Sequence, residues 1–219
     1  MQRAPPPPAP ALLAESTLGS TAQYSFGLYH KAETVRDLLD SGFAVVTPDA
    51  LSRLAYWQTN VNRYAVADLS VWEESEDHGF VEELLRRAEE GSFGELNMER
   101  VSAIGFSSGG YMTSRMAVNY RHRFKAFVVV GGAYFYCSGS CTNDVADAVA
   151  PHVWELHGPT LFLANSNDGT VPASTSEMYH RRLLQSGVEE TRRAVQSGGG
   201  HAWPRESAAE ITRWLETHG

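Results

Sequence analysis

Three short, valine-rich apolar runs and a fourth of similar form alternate with amphipathic segments along this chain. That alternation restricts it to one fold class. The runs are GFAVVTP from Gly42, RVSAIGF from Arg100, KAFVVVGG from Lys125 and PTLFLAN from Pro159. Continuous apolar runs of this length suit strands covered on both faces. A weaker fifth run, ETRRAVQS from Glu190, reads as an edge strand because its arginines require water. Between the runs lie helical segments. Lys31 to Asp40 places Val35, Leu38 and Leu39 on one face and stops at Gly42. Phe80 to Glu90, Gly109 to Tyr120, Thr175 to Gln185 and Ser207 to Thr217 follow. Strand and helix in alternation predict an α/β fold: a single domain with a mostly parallel sheet of about five to six strands and helices on both faces.

The 219 residues suffice for one domain with a core. A formal charge of −8 argues against nucleic acid or an anionic membrane as partner, since either requires a basic face. No stretch reaches the ~18 consecutive apolar residues of a membrane span. The first residues read MQRAPPPPAP, with proline where a secretory signal would carry an apolar segment. Residues 1–17 are therefore expected to be a proline-rich disordered tail, and residues 18–219 the folded domain. Two cysteines, Cys137 and Cys141, lie in YCSGSC. They are too few for a structural zinc site, which leaves a small disulfide or two free thiols, and the flexible loop between them favours the disulfide.

Gly105-Phe106-Ser107-Ser108-Gly109 matches the pattern GxSxG. That spacing serves a serine on a tight strand-to-helix turn, where small flanking residues let the helix pack close to the strand. A buried run precedes the motif and an amphipathic segment follows it, so Ser107 is the candidate nucleophile. Ser108 is not, because Phe106 occupies the glycine position it would need; its backbone N–H is instead the candidate oxyanion donor. The bland alternative is a glycine-rich βα turn without chemistry. A serine hydroxyl needs a base, and the base an orienting acid. His201 follows the last strand, in Ser197-Gly198-Gly199-Gly200-His201-Ala202-Trp203-Pro204, with three glycines to deliver its imidazole. Asp168 is the only carboxylate in the loop after PTLFLAN; its competing reading is a turn aspartate bonded to its own backbone. Asp144 and Asp147 are the fallback acids. Trp203, Trp57 and Tyr56 are candidates for a substrate pocket, against the plainer role of packing. The arrangement calls for no metal and no other cofactor.

These motifs resemble the polyhydroxybutyrate depolymerase and feruloyl esterase group of α/β-hydrolases. Asp77-His78-Gly79-Phe80-Val81 is similar to its D-x-G-F-I/V helix start, Glu99 to Gly110 to its R-V-Y-x-x-G-x-S-x-G-G, Asp168 to Pro172 to its D-x-x-V-P, and Gly198 to Pro204 to its G-G-G-H-x-W-P. The resemblance covers the chain from about Gly42 to its end. It implies a carboxylic-ester hydrolase acting on a small-molecule or polymeric ester, without metal and often secreted, with the triad Ser107, Asp168 and His201. It breaks upstream. The group has an apolar strand ending in a His-Gly-type loop that supplies a second oxyanion donor, and that strand lies between GFAVVTP and RVSAIGF in the sheet. Here Ser16 to His30 holds neither. Either Thr21 to Leu28 is a substitute strand, with Gln23, Tyr24 or Ser25 as donor, or the chain is an N-terminally shortened member. Two rival readings follow: a non-catalytic or weakly active remnant without a complete oxyanion hole, and a serine peptidase of the same fold.

Overall fold

A computed structural model describes residues 8–15, 31–50, 56–60, 63–137, 153–154 and 156–219. Six strands form one parallel sheet: β1 (Ala9–Glu15), β2 (Ala44–Val46), β3 (Leu96–Phe106), β4 (Ala126–Val130), β5 (Thr160–Asn165) and β6 (Thr191–Gln196). Their order is β2-β1-β3-β4-β5-β6. The helices are α1 (Ala32–Asp40), α2 (Leu69–Trp72), α3 (Glu76–Glu89), α4 (Ser108–Asn119), α5 (Ala173–Gln185) and α6 (Ala208–His218).

Side chains alternate across the sheet as the pleat demands. Ile104, Phe106, Val128, Val130, Leu161 and Leu163 point to one face, where Leu38 of α1 and Ile211 and Leu215 of α6 cover them. Val101, Ala103 and Phe127 point to the other, against Leu84 and Leu85 of α3 and Met112 and Met116 of α4. Further along that face Val129 and Phe162 meet Tyr179 and Leu183 of α5. The apolar residues throughout β4 and from Leu161 to Ala164 of β5 are thus explained by cover on both sides. β6 is the edge strand its arginines required: Arg192 pairs with Glu210 at 3.0 Å, and Arg193 Nη2 donates to the Ala173 carbonyl at 2.9 Å.

The expected tail over residues 1–17 is wrong for residues 9–15. Ala9–Glu15 is a strand, and it occupies the slot between β2 and β3 that the resemblance demanded. Ala11 to Leu13 pair with Ala44 to Val46 on one side, and Ala11 to Glu15 with Val101 to Gly105 on the other. Proline does not prevent this. The register with β3 shifts between Pro10 and Ala11, and pairing with β2 begins only at Ala11, so the missing Pro10 N–H falls before the two-sided part of the strand. Residues 16–30, including Thr21 to Leu28 with Gln23, Tyr24 and Ser25, lie outside the described residues, as do Asp144, Asp147 and Cys141. Cys137 is disulfide-bonded. No described helix is long and apolar enough to cross a membrane.

Candidate active site

All six strands run in the same direction, so their C-terminal ends lie along one edge of the sheet. Register aligns them: Glu15 lies opposite Gly105, Phe106 opposite Val130, and Asn165 opposite Gln196. Ser107 follows β3 directly, at φ 54° and ψ −117°. A positive φ on a non-glycine residue is strained and persists only where the surroundings enforce it. They do so here by close approach. A Cβ on Gly105 would lie 2.2 Å from the Gly109 carbonyl oxygen and 2.7 Å from Thr113 Oγ1. One on Gly110 would lie 3.0 Å from the Val130 carbonyl oxygen. The Ser107 N–H is held by that same oxygen at 2.9 Å. The serine therefore stands clear of the sheet at the N-terminus of α4, whose first N–H groups have no partner within the helix.

Two loops bring the other groups to it. After β5, Asp168 is sealed: its side chain is 2% exposed, and Oδ1 accepts the N–H groups of Thr170 at 2.9 Å and Val171 at 2.8 Å. Its turn-aspartate and ion-pair roles coexist, because Oδ2 lies 2.8 Å from His201 Nδ1. After β6, His201 places Nε2 at 2.8 Å from Ser107 Oγ. The imidazole side chain is 21% exposed, so one edge remains open to a substrate. Its other side rests against Phe106, with ring centroids 5.0 Å apart. Geometrically, the three sequence candidates form one line, Ser107 to His201 to Asp168.

The glycine run before His201 permits a fold-back held by side chains of the β5 loop. Asn165, 2% exposed, donates through Nδ2 to the carbonyls of Gly200 at 2.9 Å and Ala202 at 2.8 Å, the residues on either side of His201. Gly199 packs on that amide at φ 89°. Asn167 Oδ1 accepts the Gly200 N–H at 2.6 Å, and Ser166 Oγ the Gly198 N–H at 3.0 Å. Sequence reasoning missed Asn165. Its signal was an amide at the end of an otherwise apolar run, a position where an unpartnered polar group would be costly.

The aromatic candidates divide. Trp57 is fully buried, stacked on Phe80 at 6.4 Å, and is a core residue rather than a pocket wall. Tyr56 beside it is half-buried. Trp203 is half-buried, 6.1 Å from the Phe106 ring. It lines a groove of about 290 Å³ with Lys31, Thr34, Pro204 and Arg205. Burial lowers the Lys31 pKa. The loop after β2 is pinned from beneath by Arg115, buried between the rings of Trp72 and Phe135, whose guanidinium donates to the Tyr64 carbonyl at 2.9 Å and the Val66 carbonyl at 3.1 Å. Burial pulls its pKa down to about 9.

Comparison with known proteins agrees with this architecture. A poly(3-hydroxyoctanoate) depolymerase of Pseudomonas fluorescens is 39% identical over 193 residues, 88% of this chain; the chain spans 66% of that relative's length. Among solved structures, esterase PE8 superposes with a TM-score of 0.66 at 19% identity, covering 97% of this chain and 96% of its own. A thermostable esterase gives a TM-score of 0.67 at 15% identity, covering 99% of this chain and 56% of its own. Both likenesses are of fold. The dienelactone hydrolase family matches residues 21–213. The chain belongs to the dienelactone hydrolase family, and its fold is that of the α/β-hydrolases.

Proposed function

We propose that this protein hydrolyses carboxylic esters through an acyl-enzyme formed on Ser107. The observation that carries the reading is the line from Ser107 Oγ through the imidazole of His201 to Asp168, with 2.8 Å at each step. Ser107 Oγ attacks the ester carbonyl carbon while its proton passes to His201 Nε2. Asp168 Oδ2 accepts the Nδ1–H, which holds the tautomer that leaves Nε2 free as a base and stabilises the imidazolium. The tetrahedral oxygen turns toward the Ser108 N–H at the start of α4, where the helix dipole favours negative charge. Collapse breaks the bond to the alkoxide, which leaves with the proton from Nε2. Water then repeats the sequence on the acyl-enzyme, and the acid departs.

The likeness to a poly(3-hydroxyoctanoate) depolymerase supports an aliphatic ester substrate, and the exposed edge of His201 supports approach by a chain too large to enter a closed cavity. The disulfide at Cys137 supports an oxidising compartment, in keeping with secretion. The test is labelling with a fluorophosphonate probe, location of the adduct, and turnover of p-nitrophenyl esters of increasing chain length beside a poly(3-hydroxyoctanoate) dispersion and a peptide p-nitroanilide. Adduct on Ser107, ester turnover and no amide turnover are expected. Ser107→Ala should lose labelling and about 10⁶ in kcat. Ester turnover that survives Ser107→Ala would refute the reading, and amide turnover exceeding ester turnover would favour a peptidase.

A further inference from the structure

One motif remains without a role in this mechanism: Asp77-His78-Gly79-Phe80-Val81 at the start of α3. It sits behind a single 3-10 turn, Gln58–Asn60, in the loop after β2. Each residue from 57 to 60 has its own anchor. The Trp57 ring stacks on Phe80. The Gln58 N–H donates to Asp77 Oδ2 at 2.6 Å, and the Asp77 N–H returns a bond to Gln58 Oε1 at 3.2 Å. Thr59 Oγ1 donates to the Phe135 carbonyl. The Asn60 N–H closes the turn on the Trp57 carbonyl at 3.0 Å.

The turn so fixed grips Ser108. Ser108 Oγ accepts the Trp57 N–H at 3.0 Å and donates its own proton to Asn60 Oδ1 at 2.6 Å. Both partners come from one rigid turn, so the hydroxyl has a single orientation. Ser108 is the first residue of α4, directly after a Ser107 at φ 54°. The peptide between the two carries the N–H assigned to the oxyanion. The Ser107 carbonyl at one end of that peptide accepts the Tyr111 N–H at 3.0 Å, and the held Ser108 hydroxyl fastens the residue at its other end. An oxyanion donor counts only when aimed at the position the charge will occupy.

We infer that Asn60 is a positioning residue for the oxyanion donor. It acts through the Ser108 hydroxyl, and the Asp77 motif frames the turn that carries it. The inference rests on the ester-hydrolase reading above. It also gives the second serine of the G-F-S-S-G elbow a reason to be serine: the side chain is a handle on its own backbone N–H.

The experiment measures Asn60→Ala, Ser108→Ala and the double variant. For each, kcat and KM are read on one p-nitrophenyl ester, together with the inhibition constant of an alkylboronic acid, whose adduct with a serine hydroxyl mimics the tetrahedral intermediate, and thermal unfolding. Complete loss of an oxyanion donor costs about 10²–10³ in kcat, and a misaimed donor less. Asn60→Ala is expected to lower kcat about tenfold, weaken the boronate by a similar factor and leave KM unchanged. Its effect should vanish when Ser108 is already alanine, because interacting residues are non-additive. An unchanged kcat and boronate constant would overturn the inference. So would a rise in KM alone, which would mean that Asn60 touches the substrate, or an undiminished effect in the Ser108→Ala background. If Asn60→Ala does not fold, Ser108→Ala alone decides, since it must lower kcat at constant KM. Failure of the ester-hydrolase reading itself would show differently, as activity that survives Ser107→Ala in an otherwise native chain.

Discussion

Gly199→Ala tests how His201 is held. A Cβ at Gly199 would lie 2.4 Å from Asn165 Cγ, 2.5 Å from Oδ1 and 2.6 Å from Nδ2. Ordinary contact between non-bonded atoms begins near ~3.5 Å, so the Asn165 amide or the loop must move. Asn165 is 2% exposed and cannot swing into water without leaving the carbonyls of Gly200 and Ala202. The loss is about 0.5–1.5 kcal/mol for each of these bonds. Alanine at φ 89° adds roughly 1–2 kcal/mol. The sum, about 2–5 kcal/mol, corresponds to a fall in Tm of roughly 4–20 °C for a domain of this size. If the loop moves rather than the amide, His201 moves with it, and an error of about 1 Å in a catalytic group costs about 10² in kcat. Gly198→Ala is the control: φ there is 76°, but nothing lies within 4 Å of the added carbon. It should show backbone strain alone, a fall of roughly 2–8 °C. Calorimetric unfolding and ester turnover read both variants. Equal effects at the two positions would refute the reasoning, because the Asn165 contact distinguishes them.

Asp168→Asn should lower kcat by about 10⁴ by favouring the wrong imidazole tautomer; activity within tenfold of the parent would move the acid role elsewhere. His157 is fully buried against Tyr179, and burial lowers its pKa from 6.5 to about 4. Its neutral form is the one that folds, so stability is unaffected above pH 6.5 and declines as pH falls from there through about 4. The loss should reach about 2 kcal/mol between pH 7 and pH 5 in urea unfolding, and His157→Gln should remove that part of the slope; an unchanged slope would show that His157 does not cause it. Leu12→Pro deletes an N–H from the strand between β2 and β3. It should destabilise by about 3 kcal/mol or more, whereas proline at position 9, before the two-sided pairing begins, should cost far less.

Five of the six strands and the three groups of the candidate site could be read from the sequence, each for a physical reason. The second half of β3, with β4 and β5, is apolar because both faces are covered, β2 is a half-buried apolar edge, and β6 carries its arginines because it is the opposite edge. Ser107, Asp168 and His201 each follow a strand at the same end of a parallel sheet, so chain order alone placed them together. What stayed hidden works through contacts between residues far apart in the chain. Asn60 meets Ser108 across 48 positions, and Asn165 meets Gly200 and Ala202 across 35 and 37. A polar side chain in a loop carries no periodicity, so nothing local distinguishes such an anchor from a solvated residue.

β1 is the instructive miss, because its recovery changes an inference about chemistry. Ala11-Leu12-Leu13-Ala14 is a short apolar run directly after the prolines, and composition there reads as tail. A strand in the middle of a parallel sheet draws its stability from both neighbours and needs no long apolar signature of its own. An empty slot would orphan the backbone groups of β2 and β3 that face it, which implies low stability and favours the reading of a weakly active remnant. The ladder is in fact paired on both sides from Ala11 to Leu13 and with β3 as far as Glu15, which removes the structural ground for low stability. β1 ends at Glu15 opposite Gly105, two residues before Ser107, so the chain leaves the sheet at the same edge as the elbow. With the sheet intact, how the oxyanion is held is the next point to test in any weakness of turnover, and the turn at Asn60 and the hydroxyl of Ser108 are the groups to vary first.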